Sequence, residues 1–349
     1  MRILIDIGHP GHVHLFKHFA HEMIKNKNEV IFTVRDKEFE VRLLENEGFN
    51  FINYGKHYNS KFGKIKGLFK FTLKSILTSF KFKPDVFLSH GSIYNALASF
   101  VYRKPNIAFE DTGNIEQVRI YKPFTKTILT STSFKERYGK KQLFYKGYHE
   151  LAYLHPNWFI PSDSIFHKLG LENNEPFFLL RFISWNATHD VGQKGLTHNQ
   201  KRQLIDFLSK IGKVFISAEG QLPDEFKQYQ IKIDPSDMHD VLSYTKLFIG
   251  EGATMASECA VLGTPAIYIN TMEAGSIDEQ EAYGLVYHYR NGEGVLEKTK
   301  ELLNDTLLYE KINKANKKLI DENIDVTRFL IDFISNYPQS ISKYNSVKQ

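Results

Sequence analysis

Residues 247–270 read LFIGEGATMASECAVLGTPAIYIN. Leu247, Phe248 and Ile249 form the short apolar run that a buried parallel strand uses. Gly250 and Gly252 permit a tight turn at that strand's carboxyl end. Ala253 follows, Thr254 is placed to cap a helix, and Glu258 lies one turn further along the same face. Gly263, Thr264 and Pro265 end the helix, and 266–269 starts the next strand. This order is a βαβ unit, the building block of a doubly wound parallel sheet. The turn opens onto a helix N-terminus, whose N–H groups and dipole end favour an anion. A carboxylate one turn later suits sugar hydroxyls, so the stretch points to a nucleoside diphosphate with its ribose. A plain βαβ turn without a ligand carries the same glycines.

The same alternation runs outward in both directions. Strands are expected over 3–7, 29–34, 50–54, 85–89, 106–109 and 127–129, and helices over 14–26, 39–47 and 94–102. Residues 148–162 hold two prolines and no clear period, which suggests a connection between domains. Beyond it, strands are expected over 177–182, 213–217 and 231–233. Helices are expected over 199–211, 237–244, 295–304, 307–322 and 325–335. The fold class is therefore α/β, with two Rossmann-like domains facing a cleft. The first spans 1–155 and takes the acceptor side. The second spans 156–325 and takes the nucleotide sugar. Residues 326–349 form a last helix, then a loose tail.

The 349 residues suffice for two full cores, and 42% hydrophobic with 24% charged residues is ordinary for a globular chain. The lone Cys259 excludes an internal disulfide and a cysteine-based zinc cluster. No run reaches the roughly 18 apolar residues of a membrane span, and no signal peptide is evident, so a cytoplasmic location is expected. The net charge of +5 divides into +11 over residues 1–150 and −6 over 151–349. Much of the excess lies in 60–84, SKFGKIKGLFKFTLKSILTSFKFKP, which alternates lysines with Phe, Leu and Ile and has no acid. A basic amphipathic helix of this kind suits an anionic membrane surface, placing the protein at the inner face of the cytoplasmic membrane. A helix packed on the core with solvated lysines is the plainer alternative. Nucleic acid is not expected as a partner, because no recognised motif or continuous basic stripe is present.

Candidate chemistry gathers at strand ends. The first strand runs into GHPGHVH, with Gly11, His12 and His14, and a neutral imidazole at His12 suits a general base near pH 7. Apart from Asp6 no carboxylate lies nearby in sequence, so no metal is expected. His90, Gly91 and Ser92 form another glycine turn before a helix, and Glu110 and Asp111 end a further strand. These residues are assigned to the acceptor side, with Glu110 also a catalytic candidate. In the second half Arg181 ends an apolar strand, where a cation can neutralise a leaving diphosphate. Ser184, Glu219, Gly220 and His239 join Arg181 as donor-binding candidates, together with Gly250, Gly252, Ala253, Thr254 and Glu258. A helix dipole and an arginine can serve the diphosphate without a metal or other cofactor.

DIGHPGHVH, GYHELAYLHP, RFISWNATHDVGQKG and GEGATMASECAVLGTPAI together resemble an uncharacterised bacterial and archaeal family of the GT-B fold, over roughly residues 1–335. Two better-understood relatives are similar in part. The transferase that adds N-acetylglucosamine to the lipid-linked peptidoglycan precursor has a Gly-Gly-His-Val loop, approached here by Gly11, His12 and Val13. Its likeness implies that His12 is the base and that Gly252, Ala253 and Glu258 hold the donor, a UDP-sugar by analogy. The non-hydrolysing UDP-N-acetylglucosamine 2-epimerase resembles this chain at His90 and Gly91 and at Glu110, which implies an epimerase acid at Glu110. Ser92 stands where that family has an aspartate, and a serine does not shuttle protons as a carboxylate does. The resemblance implies an inverting glycosyltransferase for a surface polysaccharide or lipid-linked glycan, with the last helix, within 326–349, crossing back to the first domain as in GT-B relatives. The alternatives are a sugar-nucleotide epimerase and a non-catalytic nucleotide-sugar-binding protein.

Overall fold

The computed structural model describes residues 1–58, 60–183, 195–272 and 275–344. The chain divides into two compact units, Met1–Tyr153 with Ile324–Gln349, and Leu154–Asn323.

The first unit is built on β1 (Arg2–Ile7), β2 (Glu29–Asp36), β3 (Phe51–Lys56), β4 (Val86–His90), β5 (Asn106–Phe109), β6 (Thr127–Ser131) and β7 (Gln142–Tyr145). They form one sheet in the order β3-β2-β1-β4-β5-β6-β7, and every pairing is parallel. Helices cover both faces, so the central strands read as unbroken apolar runs. The second unit carries β8 (Phe177–Phe182), β9 (Lys213–Ala218), β10 (Phe248–Gly250), β11 (Ala266–Ile269) and β12 (Val286–Tyr289). Their order is β12-β11-β10-β8-β9, again all parallel. In each sheet the winding reverses once, between β1 and β4 and between β8 and β10. Ligands of such sheets bind outside the carboxyl ends of the strands at these reversals.

Several expectations shift. The first helix is Pro10–Lys25 and starts four residues earlier than its apolar period suggests. The His9 ring accepts the Gly11 N–H, and Pro10 presets the backbone of the first turn. His12 is thus helical, not in a loop, and His14 is helical as expected. Residues 231–233 form no strand; the pairing there is an isolated bridge between Ile216 and Gln230. β7 and β12 were not anticipated. Both are four-residue edge strands, and β12 is half-exposed, so neither shows a clean period. The stretch after β7 is packed: Tyr148, Leu151, Ala152 and Tyr153 are buried. The Val326–Ser335 helix belongs to this same unit, with Phe329 stacked on Tyr145 and the Thr327 hydroxyl donating to the Ala152 carbonyl at 2.7 Å.

The basic segment is one helix, Lys61–Phe82, capped by the Ser60 hydroxyl. Its polarity is inverted relative to a core-packed helix. The inward side carries Phe71, Ser75, Thr78 and Ser79, all buried. The outward side carries Phe62, Ile65, Phe69, Leu73, Leu77 and Phe80, with Phe62 87% and Phe69 73% exposed. These positions recur every three or four residues and so form one stripe.

Candidate functional site

At the first reversal, β1 and β4 lie side by side with Asp6 opposite Ser89. Asp6 is buried and holds a guanidinium: Arg35 Nη1 donates to Oδ1 at 2.8 Å and Oδ2 at 3.0 Å, and Thr33 donates to Oδ1 at 2.6 Å. Arg35 also donates to the Ile7 carbonyl at 2.7 Å and lies over the Tyr94 ring. This pair forms the floor of the turn at Gly8. An arginine near the end of a strand gave no sequence signal beyond its charge, and it went unremarked.

Above that floor His12 Nδ1 accepts the Gly8 N–H at 3.2 Å. A neutral ring held in this way carries its proton on Nε2. The lone pair that a base would use is thus on Nδ1, and the Gly8 N–H occupies it. Burial, with the nearby His90 and His9 rings, holds His12 well below the ordinary histidine range, so the ring stays neutral at pH 7. His12 stacks on His90 with ring centroids 4.5 Å apart. His14 is not in this group; its ring lies against Tyr153.

His90 ends β4, and its Nε2 lies 2.8 Å from Asp111 Oδ1. His149, four residues beyond β7, places Nδ1 2.7 Å from Asp111 Oδ2. Burial opposes charge on His90, but the Asp111 carboxylate outweighs it and raises the ring's pKa. Lost hydration likewise opposes charge on Asp111, and the His149 and His90 rings overcome it, holding the carboxyl well below the usual range. Among the described residues, His90, Asp111 and His149 form a group able to hold a metal ion. His149 was missed, although GYHELAYLHP was conspicuous as a motif.

Ser92 and Glu110 have other roles than those expected. The Ser92 hydroxyl accepts the Asn95 N–H at 3.2 Å and caps the Ile93–Tyr102 helix. Glu110 is buried, and its own chain occupies it. Oε1 accepts the Thr112 N–H, the Thr112 hydroxyl and the Gly113 N–H, while Oε2 accepts the Tyr121 hydroxyl at 2.6 Å. A carboxylate with four internal donors shapes the loop that carries Asp111 and is not free to act on a substrate. Gly91 has φ +57°, and a Cβ there would lie 3.2 Å from both Glu110 Oε2 and the Tyr121 ring.

At the second reversal, Gly250 of β10 pairs with Arg181 of β8. A Cβ on Gly250 would collide with the Phe248 ring and come within 2.9 Å of Arg181 Cβ, so close packing requires glycine there. The Ala253–Leu262 helix has Gly252 at its N-cap, and no side chain among the described residues caps it. Thr254 is therefore corrected from cap to exposed first-turn residue. Among the described residues a Cβ on Gly252 would meet only Ile183 Cγ2, at 3.9 Å, an ordinary van der Waals contact. Glu258 is buried further along, with His239 Nε2 3.1 Å from its Oε1 and Phe159 edge-on to the histidine.

Arg181 is already engaged. It donates to Ser217 Oγ at 2.8 Å and to Glu219 Oε1 at 2.9 Å. Gly220 lines a cavity of about 170 Å³ with Phe182, Lys201, Leu222 and Phe226. Ser184 lies outside the described residues, with the rest of 184–194. Glu251 went unnoticed in the sequence, although it sits inside the motif that decides the fold. It is fully buried and accepts the N–H groups of Ile183 at 3.0 Å and Leu196 at 2.8 Å.

Two all-parallel Rossmann-like sheets of this winding define a GT-B protein, a fold shared by nucleotide-sugar glycosyltransferases and UDP-N-acetylglucosamine 2-epimerases. The chain belongs to the family described as protein of unknown function DUF354, whose model matches residues 1–339. It is 25% identical over 291 residues to the uncharacterized protein MJ0665 of Methanocaldococcus jannaschii, covering 79% of this chain and 84% of that one. Among solved structures it is similar to UDP-GlcNAc 2-epimerase from Neisseria meningitidis bound to UDP-GlcNAc. The TM-score is 0.68 at 13% identity, over 96% of this chain and 100% of that one. It is also similar to the Streptomyces sp. SF2575 glycosyltransferase SsfS6, with a TM-score of 0.60 at 12% identity, over 96% of this chain and 100% of that one. At these identities the likeness concerns the fold.

Proposed function

We propose that this protein is a nucleotide-diphosphate-sugar-dependent inverting glycosyltransferase acting in surface polysaccharide or lipid-linked glycan synthesis. The observation that carries the nucleotide reading is the Ala253–Leu262 helix, whose N-terminus at Gly252 is capped by no side chain among the described residues. Its first N–H groups receive the diphosphate, and Glu258, oriented by His239, receives the ribose. Arg181 adds positive charge at the end of the adjacent strand. The UDP-sugars bound by structural relatives make UDP the first nucleotide to test.

The acceptor side is the first unit. The acceptor hydroxyl attacks the anomeric carbon, the bond to the diphosphate breaks, and the nucleoside diphosphate leaves with both electrons of that bond. The hydroxyl proton passes to His12, whose Nδ1 lone pair is freed when the acceptor displaces the Gly8 N–H. That hydrogen bond is at the long end of the normal range, which favours the exchange. Direct displacement inverts the anomeric centre. The Ser92 cap and the saturated Glu110 weigh against an epimerase, because neither is left to move a proton at sugar C2.

No helix among the described residues is long and apolar enough to cross a membrane. We propose that the outward Phe and Leu stripe of Lys61–Phe82 instead rests on an anionic membrane surface, with its lysines at the headgroups. Lys70 and Lys74 already donate to Tyr58 and to the Tyr54 carbonyl, so Phe62, Lys66 and Phe69 are the informative positions. Sedimentation with phosphatidylglycerol vesicles should fall sharply in a Phe62→Ser, Lys66→Glu, Phe69→Ser variant. Unchanged sedimentation would remove the membrane from the proposal.

A thermal-shift screen of UDP-, GDP-, CDP- and dTDP-sugars should raise the melting temperature for one nucleotide class. With lipid extract as acceptor source, wild type should release nucleoside diphosphate, and His12→Gln should lose at least about a hundredfold of that rate. Nucleotide binding with no turnover would leave a binding protein. Deuterium uptake at sugar C2 without acceptor would make it an epimerase.

A further inference from the structure

The His90–Asp111–His149 group is not used by the transfer chemistry, yet its geometry is specific. We propose that these three side chains form a binding site for a divalent transition-metal ion of the zinc type. His90 Nε2, His149 Nδ1 and a carboxylate oxygen of Asp111 lie within 4.8 Å of one another. Tetrahedral zinc with bonds near 2.0–2.1 Å sets its ligand atoms about 3.3 Å apart. The two N···O separations, 2.8 Å to Oδ1 and 2.7 Å to Oδ2, are each about half an ångström shorter than that spacing, so each His–Asp hydrogen bond must open slightly as the ion takes its place.

The scaffold also suits a metal. His90 ends β4, Asp111 lies two residues beyond β5 and His149 opens a short helical turn four residues beyond β7, so all three follow strand carboxyl ends. Glu110 clamps the loop that presents Asp111. Phe109 stands edge-on to the His149 ring and Tyr145 stacks beyond it, which holds the imidazole in place. Such outer contacts orient metal ligands in known sites. The two rings are 9% and 10% exposed, whereas Asp111 is 47% exposed. An ion there would be anchored on buried nitrogen and keep coordination positions open on the carboxylate's side, as catalytic rather than structural zinc does. Two neutral imidazoles and one carboxylate leave a net positive centre able to take a hydroxyl or an anion. Sequence alone argued against a metal because no carboxylate lies near the histidine loop; the fold supplies Asp111 from beyond β5.

The test uses the full-length protein, stripped with a chelator and titrated with zinc against a chromophoric competitor. About one zinc per chain should bind, and Asp111→Asn and His149→Gln should each weaken it at least about tenfold. His14→Gln, on the same unit but outside the group, should bind as wild type. Thermal melts confirm that each variant folds. If Asp111→Asn does not fold, cobalt(II) absorption of wild type against His149→Gln reads the ligand set directly. Wild type that takes up no zinc, or both ligand variants retaining full affinity, would overturn the site. The outcome is independent of the transferase reading, since no sugar nucleotide is present and nucleotide binding is measured separately on the second unit.

Discussion

The two glycine turns that open helices at strand ends look alike in sequence and differ in the fold. After β4 the chain reads His90, Gly91, Ser92; after β10 it reads Glu251, Gly252, Ala253. In the first, the Ser92 hydroxyl occupies the helix's N-terminal N–H and Gly91 is hemmed in by Glu110 and Tyr121. In the second, no side chain among the described residues caps the helix, and a Cβ on Gly252 would make no contact with them closer than 3.9 Å. A helix end holds a foreign anion only where the chain has not already supplied the acceptor. The difference separates a turn that organises its own unit from one left free for a ligand.

The sharpest way to break that comparison is to close the open turn. Gly252 has φ −102°, which any residue adopts, so aspartate fits there. In Gly252→Asp the carboxylate should cap the helix and stabilise the protein by a few tenths of a kcal/mol, since glycine is itself a fair N-cap. The same carboxylate repels a diphosphate, and nucleotide affinity should fall about a hundredfold, near 3 kcal/mol. Calorimetric titration with the nucleotide found in the screen reads the affinity, and a thermal melt of the free protein reads the stability. Unaltered affinity would place the diphosphate elsewhere.

The converse change loosens the closed turn. Glu110→Gln puts an N–H₂ where four donors now converge, so at least one buried donor loses its acceptor. A loss of about 2 kcal/mol in unfolding free energy is expected, seen as a lower denaturant midpoint at constant slope. Nucleotide affinity of the second unit should not change. A variant as stable as wild type would mean that Glu110 is less saturated than its hydrogen bonds imply.

Sequence carried the architecture well because parallel strands are buried on both faces and declare themselves as apolar runs, as 3–7 and 177–182 do. It failed at edges, where β7 and β12 are short and half-paired. The site was less legible, for a consistent reason. Residue type at a strand end shows that chemistry is available, but not which partner a side chain has taken. Glu110 and Arg181 were read as free groups, and each proves to be engaged by nearby chain. His149 and Glu251 were passed over because their partners, Asp111 and the Ile183 and Leu196 amides, lie far away in sequence. The outward stripe on Lys61–Phe82 was legible as amphipathic, but the direction it faces was settled only by the buried Ser75, Thr78 and Ser79.

A milder probe of the closed turn is Ser92→Ala. Loss of the cap should cost about 1 kcal/mol, read as a lower melting temperature, with nucleotide affinity unaltered. A drop in affinity instead would assign the first turn a ligand role.

The smallest effect should come from the rim of the open turn. Glu219 pairs with Arg181 at 2.9 Å and is 44% exposed, so solvent and salt already screen the pair. Glu219→Gln removes a negative charge near the proposed diphosphate position and leaves the arginine with its Ser217 bond. Nucleotide affinity should rise about two- to fivefold at low salt, and the gain should shrink as salt is added. The sign is what matters. A rise means that Glu219 only restrains Arg181, as the ion pair suggests. A fall means that Glu219 itself meets the ligand, the role its position at a strand end first suggested. In that case the ribose contact would be shared between Glu219 and Glu258, and the open turn would extend across β8 and β9 as well as β10.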